Sequence, residues 1–179
     1  MMTPIGTGLV WGLLYDPNYG AVNQIFHLGH LAWLGEVRYA AAAAIIATIW
    51  TNTPFVMILL LAALQSLSRE PFEAAMIDGA SARQIFRYII VPLLMPTILV
   101  ALLIRTIFEF RGFDIIWMLT QGGPAGRTET LSMTDFLMSF RFFAVGQGAA
   151  LSWIMLIITA GISVGYLYYL TRSLRTQEA

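Results

Sequence analysis

The sequence lacks cysteine altogether, and all ten of its basic residues are arginine. Without cysteine the chain can form neither disulfides nor thiolate metal sites. Without lysine it cannot build a P-loop, because the motif G-x-x-x-x-G-K-[ST] needs its lysine to reach the phosphates. If ATP drives this protein, another subunit must bind the nucleotide.

Charge is scarce: only 11% of the 179 residues are charged, against about 25% in ordinary globular domains. Three uncharged, strongly apolar stretches are candidates for membrane spans, namely residues 39–68, 88–104 and 142–171. A helix needs about 20 apolar residues to cross a bilayer. The first and third stretches suffice, and the second suffices if it continues toward residue 110. The sequence therefore predicts a membrane protein, and its net charge of zero suggests no nucleic-acid partner.

The apolar run at residues 1–15 is too short to span a bilayer and lacks the basic start of a signal peptide. We interpret it as the outer end of a helix that begins upstream. A short amphipathic helix is expected around residues 21–31, with His27 and His30 on one face. Zinc needs at least a third protein ligand, and no nearby residue clearly offers one. We therefore predict neither a metal site nor a cofactor.

A polar, charged segment separates the first two long apolar stretches. Ser68 is expected to cap a helix that has Pro71 in its first turn. Gly79 should supply a bend, since glycine takes a positive φ without penalty. Ser81 and Gln84 fit a capping box that begins a second short helix. The segment is therefore predicted to be a compact helix-turn-helix.

The spacing in this segment resembles the EAA loop of bacterial binding-protein-dependent ABC importers. That pattern is E-A-A, three residues, G, nine residues, then I-x-L-P. Every spacing is kept here and only the leucine differs, as Val91; the matching residues are Glu73, Ala74, Ala75, Gly79, Ile89 and Pro92. The resemblance implies a cytoplasmic loop that couples the membrane subunit to an ATPase.

Two further stretches resemble the same family. The segments F-D at 113–114, T-Q-G-G-P at 120–124 and T-E-T-L at 128–131 are similar to carbohydrate-uptake permeases, which narrows the solute to sugars. A looser match, similar to the stretch that follows the third core helix of related permeases, comprises Trp11, Leu13, Leu14, Asp16, Pro17, Gly20 and Asn23. We therefore expect the sequence to cover the C-terminal part of a maltose-type permease.

The resemblance implies an all-α, polytopic helical bundle of the type I ABC importer permease kind in the bacterial cytoplasmic (inner) membrane. We expect one N-terminally incomplete permease domain over 1–179. Its expected segments are the end of a span (1–15), an external segment (16–39), a span (40–64), the cytoplasmic EAA loop (65–91), a span (92–112), an external loop (113–145), a span (146–170) and a cytoplasmic tail (171–179).

The resemblance also implies roles and partners, and no catalytic residue. Coupling to cytoplasmic ATPase subunits would fall to Glu73, Ala74, Ala75, Asp78, Gly79 and Pro92. The turn at Gly122, Gly123 and Pro124 would reach toward an extracytoplasmic sugar-binding protein, although a plain connecting hairpin is the alternative. A second, homologous permease subunit would complete the pathway through the lipid bilayer.

Three polar residues inside the predicted spans are candidates for the solute path. Asn52 stands beside Pro54, and its amide could donate to and accept from sugar hydroxyls; a kink satisfied by neighbouring helices is the alternative. Arg105 and Glu109 lie four residues apart, hence on one helix face. They would form either a structural ion pair or part of the path.

Rival functions remain open at this point. An ion-coupled secondary transporter would carry carboxylates at a midplane site, and only Glu109 is suitable. A membrane enzyme would need a catalytic constellation that the sequence does not display. A truncated, non-functional permease is a third alternative. The solute itself could be a mono-, di- or oligosaccharide, or a related polyol phosphate.

Overall fold

The computed structural model describes residues 3–177, with side chains through Thr171. These residues form helices and tight turns, and contain no strand. The helices are α1 (Pro4–Leu14), α2 (Ala21–Ile25), α3 (Val37–Gln65), α4 (Glu70–Ile77), α5 (Ala82–Ile85), α6 (Val91–Phe110), α7 (Asp114–Leu119), α8 (Leu131–Phe136) and α9 (Val145–Gln177). Two π-helical turns occupy Phe86–Ile90 and Leu137–Arg141. The predicted all-α class is confirmed.

Three helices are long and apolar enough to cross a membrane: Val37–Gln65, Ala82–Phe110 and Val145–Thr171. The two 29-residue helices are each about 43 Å long at the usual rise per residue, against about 30 Å of bilayer hydrocarbon. Only 11%, 11% and 6% of their apolar windows are buried within the chain. Their apolar faces are therefore available to lipid or to other helices.

Two local predictions are wrong. The N-cap of α4 is Arg69 rather than Ser68, and no side chain caps the first turn. The helix predicted around residues 21–31 ends at Ile25, because His27 (φ 52) and Gly29 (φ 67) adopt left-handed backbone conformations that a helix cannot continue through. His27 and His30 consequently share no helix face, and His30 instead bonds the Pro17 carbonyl through Nδ1 at 3.0 Å.

The chain divides into two compact units, and the first contains the chain up to Pro54 together with Phe108–Thr159. Alanines allow close packing here: Ala44 and Ala47 of α3 form a core with Leu119 of α7. Helices α1 and α7 also approach closely, since a Cβ on Gly8 would overlap the Met118 side chain. Small residues thus replace bulky ones where these helices meet.

The second unit contains Phe55–Ile107 and the chain from Ala160 onward. It includes α4, α5 and most of α6. The Thr106 hydroxyl donates to the Tyr166 hydroxyl across 3.3 Å, which links α6 to α9 within this unit. Ala101 is buried there, at 3% exposure.

Candidate functional site

The helix-turn-helix between the first two spans begins with an acidic turn. Glu70 and Glu73 both lie in the first turn of α4, where negative charge offsets the positive end of the helix dipole. Pro71 lies beside them, at a position that needs no backbone N–H donor. The two acidic residues and the proline therefore favour the start of this eight-residue helix, although no side chain caps it.

The end of α4 is a Schellman motif, which satisfies the last helix carbonyls. Asp78 is the C-cap, and Gly79 follows it with φ 77. The Gly79 N–H donates to the Met76 carbonyl at 3.1 Å, and the Ala80 N–H donates to the Ala75 carbonyl at 2.9 Å. The predicted positive φ at Gly79 is confirmed, and this pair of hydrogen bonds fixes how the chain leaves α4.

Helix α5 then begins with the predicted capping box. The Ser81 hydroxyl accepts from the Gln84 N–H, and the Gln84 side chain accepts from the Ser81 N–H. Helix α5 continues through the π-helical turn into α6, as one helix from residue 82 to 110. Pro92 lies at the second position of α6, immediately after the π-helical turn. No break therefore separates the second short helix from the span.

The outer face of α4 is exposed and partly apolar. Ile77 is 85% exposed and Met76 is 59% exposed, while Glu73, Ala74 and Asp78 are also exposed. Large apolar side chains presented beside charges and small residues are typical of a surface that binds another protein. We define this docking face as Glu73, Ala74, Met76, Ile77 and Asp78.

Replacing Gly79 tests the turn that orients this face. A Cβ at Gly79 would meet nothing within 4 Å, so Gly79→Ala should cost only the left-handed conformation, about 1–2 kcal/mol. Gly79→Asn should cost less, because asparagine tolerates this region better. The measurement is the thermal midpoint of the detergent-solubilised chain. Equal midpoints for Gly79→Ala and the wild type would contradict the assignment.

The structure brings two of the predicted path residues together. The Asn52 amide Nδ2 donates to the Glu109 carboxylate at 2.8 Å and to the Thr48 carbonyl at 2.9 Å. Asn52 is half-buried in the middle of α3, whereas Glu109 is exposed near the end of α6. Arg105 lies one turn earlier in α6 and is half-buried. The amide–carboxylate pair can exchange hydrogen bonds with a hydroxyl-rich solute.

Hydroxyl groups around Pro54 bond to the backbone of their own helix. Thr48 donates to the Ala44 carbonyl, Thr51 to the Ala47 carbonyl and Thr53 to the Ile49 carbonyl. Pro54 itself cannot donate to the backbone ladder, and such residues weaken the helix where they occur. These three hydroxyl groups of α3 are thus satisfied within the helix, as hydrocarbon surroundings require.

An apolar cavity of about 680 Å³ lies on a different face of α3. Its lining consists of Trp11, Ile46, Ile49, Trp50, Thr51, Thr53 and Pro54. The two tryptophans meet edge to face at 6.0 Å. Asn52 is not among the lining residues, and the hydroxyls of Thr51 and Thr53 bond to their own helix. This cavity therefore suits an apolar group better than a sugar.

Exchanging the two partners tests whether Asn52 and Glu109 act as a pair. Asn52→Asp should place two carboxylates in contact and remove a hydrogen bond to a charged group, a loss of about 1.5–3 kcal/mol. Adding Glu109→Gln should restore an amide–carboxylate pair with the roles reversed. The comparison is a double-mutant cycle on the unfolding midpoint in detergent. Strictly additive effects would rule out the contact.

The turn after α7 is held by buried polar groups. The Thr128 hydroxyl, in a side chain only 7% exposed, donates to the Gly123 carbonyl at 2.7 Å and shares a 2.6 Å hydrogen bond with the Thr120 hydroxyl. The Thr128 N–H donates to the Gly122 carbonyl. Gly122, Gly123 and Pro124 therefore form one fixed turn, and Thr128 is the residue that fastens it.

Gly122 is required by both conformation and space. Its φ is 84, and an added Cβ would lie 2.9 Å from Met133 Cε, a side chain that is 1% exposed. Gln121 and Ala125 also adopt positive φ values, 48 and 51. Thr128 and Met133 were not predicted as parts of this site; the only indication in the sequence is the threonine of the T-x-T-L segment.

Two glycines in this turn separate backbone strain from steric overlap. Gly126 also has a positive φ, 72, but its Cβ would meet only Glu129 Oε2 at 3.7 Å. Gly126→Ala should therefore cost about 1–2 kcal/mol. Gly122→Ala should cost about 1–3 kcal/mol more, because Met133 must move. Thermal midpoints of the two purified variants compare them; a larger loss for Gly126→Ala would contradict the proposed packing.

The described residues contain no group of three or more histidine, aspartate or glutamate side chains placed to hold a metal ion. Three long apolar helices, a capped polar helix-turn-helix and a polar pair between helices define a multi-pass membrane protein with a candidate protein-docking face.

Comparison with known families agrees with this class. Residues 2–174 match the family of binding-protein-dependent transport system inner membrane components. The chain belongs to this family and is a multi-pass protein of the inner membrane. The predicted resemblance is confirmed at the level of the family.

Individual relatives extend the likeness over most of the chain. The trehalose/maltose transport system permease protein MalF of Thermococcus litoralis is 40% identical over 163 residues, which are 88% of this chain and 54% of that protein. The sulfoquinovosyl glycerol transport system permease protein SmoG of Agrobacterium fabrum is 36% identical over 174 residues, 96% of this chain and 55% of that protein. The chain thus spans about half the length of these curated relatives.

The fold is also similar to a solved structure. A chain of a bacterial ABC transporter involved in the import of the acidic polysaccharide alginate superimposes with a TM-score of 0.86 at 22% identity, covering 96% of this chain and 62% of that one. At this identity the likeness shows the fold alone. The predicted ABC importer permease fold is confirmed.

Proposed function

We propose that this chain is the permease subunit of an ATP-driven importer that carries a sugar delivered by an extracytoplasmic binding protein. The family match over residues 2–174 carries the proposal. Relatives named for trehalose/maltose and for sulfoquinovosyl glycerol support a sugar or a sugar derivative as the solute. A second, homologous permease subunit completes the pathway in this scheme.

ATP hydrolysis belongs to separate subunits in this proposal. The chain has no lysine for a P-loop, so it acts as a non-catalytic partner. The docking face of α4 binds a cytoplasmic ATPase subunit, with Glu73 and Asp78 making charged contacts. Ala74 and Ala75 permit a close approach, and the turn at Gly79 sets the angle of the helix.

The continuity of the helix from residue 82 to 110 supports a mechanical role for this segment. Because no break separates α5 from α6, a displacement of α4 by the ATPase is passed through the turn at Gly79 directly into the span that contains Pro92. Rigid-body movement of packed helices is a common route to alternating access. In this proposal the docking face and the helix from residue 82 to 110 move together as a rigid body.

The solute path is proposed to pass Asn52, Glu109 and Arg105. Asn52 and Glu109 already share a hydrogen bond of 2.8 Å, and sugar hydroxyls can replace such bonds without leaving either group unsatisfied. The turn at Gly122, Gly123 and Pro124 faces the binding protein. The hydrogen bond from Thr128 to the Gly123 carbonyl holds the shape of this turn, which suits a surface that contacts another protein.

Charge reversal on the docking face tests the coupling. Glu73→Lys should weaken the contact with the ATPase by about 2 kcal/mol or more, as for other close charge pairs. Sugar uptake and sugar-stimulated ATP hydrolysis should then both fall in reconstituted vesicles. Glu36→Lys is the matched control, because it makes the same exchange at an exposed glutamate in the predicted external segment. It should leave both rates unchanged.

Three results are informative here. If Glu73→Lys loses uptake but still binds the ATPase, Glu73 acts after docking, in the transmission of movement to the span. Unchanged uptake in Glu73→Lys would contradict the coupling proposal. Normal coupling with uptake of an ion instead of a sugar would contradict the solute assignment and leave the docking face intact.

A further inference from the structure

The segment between α1 and α3 contains no charged residue over nineteen positions, 17–35. A solvated segment of that length would carry about five charges at the usual frequency. Asp16 and Glu36 bracket it on either side. We call residues 17–35 the interfacial loop. Such a lack of charge is unusual for a segment that faces bulk water.

The interfacial loop is organised around one buried polar side chain and exposes large apolar ones. Asn23 is only 4% exposed; its Nδ2 donates to the Leu31 carbonyl at 2.9 Å, and its Oδ1 accepts from Trp33 Nε1 at 2.8 Å. In contrast, Ile25 is 70% exposed and Phe26 is 67% exposed. Gln24 and His27 are exposed as well, so the loop presents large apolar side chains together with uncharged polar ones, a mixture that suits the surface of a membrane.

Aromatic contacts fix this loop beside the beginning of α3. The Trp33 ring lies 5.5 Å from the Tyr15 ring and 5.8 Å from the Tyr39 ring. The Tyr15 hydroxyl donates to the Ala43 carbonyl of α3 at 3.1 Å. Tryptophan and tyrosine are enriched where a span meets the membrane–water interface. These contacts hold the loop beside Val37, where the first apolar span begins.

We propose that the interfacial loop is a lipid-binding anchor, with Ile25, Phe26 and Leu28 inserted among the phospholipid chains at the membrane surface. The adjoining face of α3 is also apolar and exposed, at Ile45 and Ile49 among others. This face contacts the lipid chains deeper in the bilayer. Charged groups steer protein partners that approach from water, and the loop contains no Asp, Glu, Lys or Arg. The anchor thereby fixes the depth and tilt of α3 independently of transport.

Single spin labels can test the anchor cleanly because the chain contains no cysteine. Ile25→Cys and Phe26→Cys are labelled one at a time, with the chain in vesicles of phosphatidylcholine and phosphatidylglycerol. Ile157→Cys provides the lipid reference, since that residue is 66% exposed on α9. Arg127→Cys provides the water reference on an exposed turn. Collisions with oxygen, which enters lipid, are compared with collisions with a water-soluble nickel chelate.

The proposal predicts that labels at Ile25 and Phe26 collide preferentially with oxygen, as at Ile157, at a depth of about 5–10 Å below the headgroups. Adding Phe26→Asp should shift the label at Ile25 toward the nickel reagent, whereas Phe26→Leu should not. Preference for nickel at both positions, as at Arg127, would overturn the proposal. Protection from both reagents would also overturn it, because the loop would then be covered by protein.

Discussion

Polar groups inside a bilayer must find their partners within the protein, and the structure follows from that constraint. Hydrocarbon offers no hydrogen bonds, so each unsatisfied group costs several kcal/mol. The threonine hydroxyls of α3 bond to carbonyls of their own helix. Asn52 reaches beyond its helix to Glu109. This bond joins two helices through polar side chains, whereas the threonine bonds stay within one helix.

The same constraint concentrates chemistry at the helix ends. Charged side chains can be hydrated outside the hydrocarbon region. Both the acidic first turn of α4 and the turn at Gly79 lie between spans. There the backbone carbonyls are satisfied by the Schellman motif rather than by water alone. A short helix stabilised in this way can expose apolar side chains such as Ile77. Stability and an available surface are thus obtained from the same local geometry.

Features set by neighbours in sequence were predictable, and features set by distant packing were not. The positive φ of Gly79, the Ser81–Gln84 capping box and the three long apolar helices depend on local spacing. The contact between Asn52 and Glu109 spans 57 residues, and no local pattern specifies it. Likewise, the early end of α2 depends on a left-handed backbone at His27, a conformation that its residue type only weakly favours.

Photo-crosslinking at the docking face tests the central claim most directly. A photoreactive amino acid in place of Ile77, the most exposed large apolar side chain of α4, should crosslink to an ATPase subunit in native membranes. The same group in place of Ile157, in the apolar span of α9, should not. An ATPase crosslink confined to position 77 would support the account. Crosslinks from position 77 only to lipid, or to this chain itself, would contradict it.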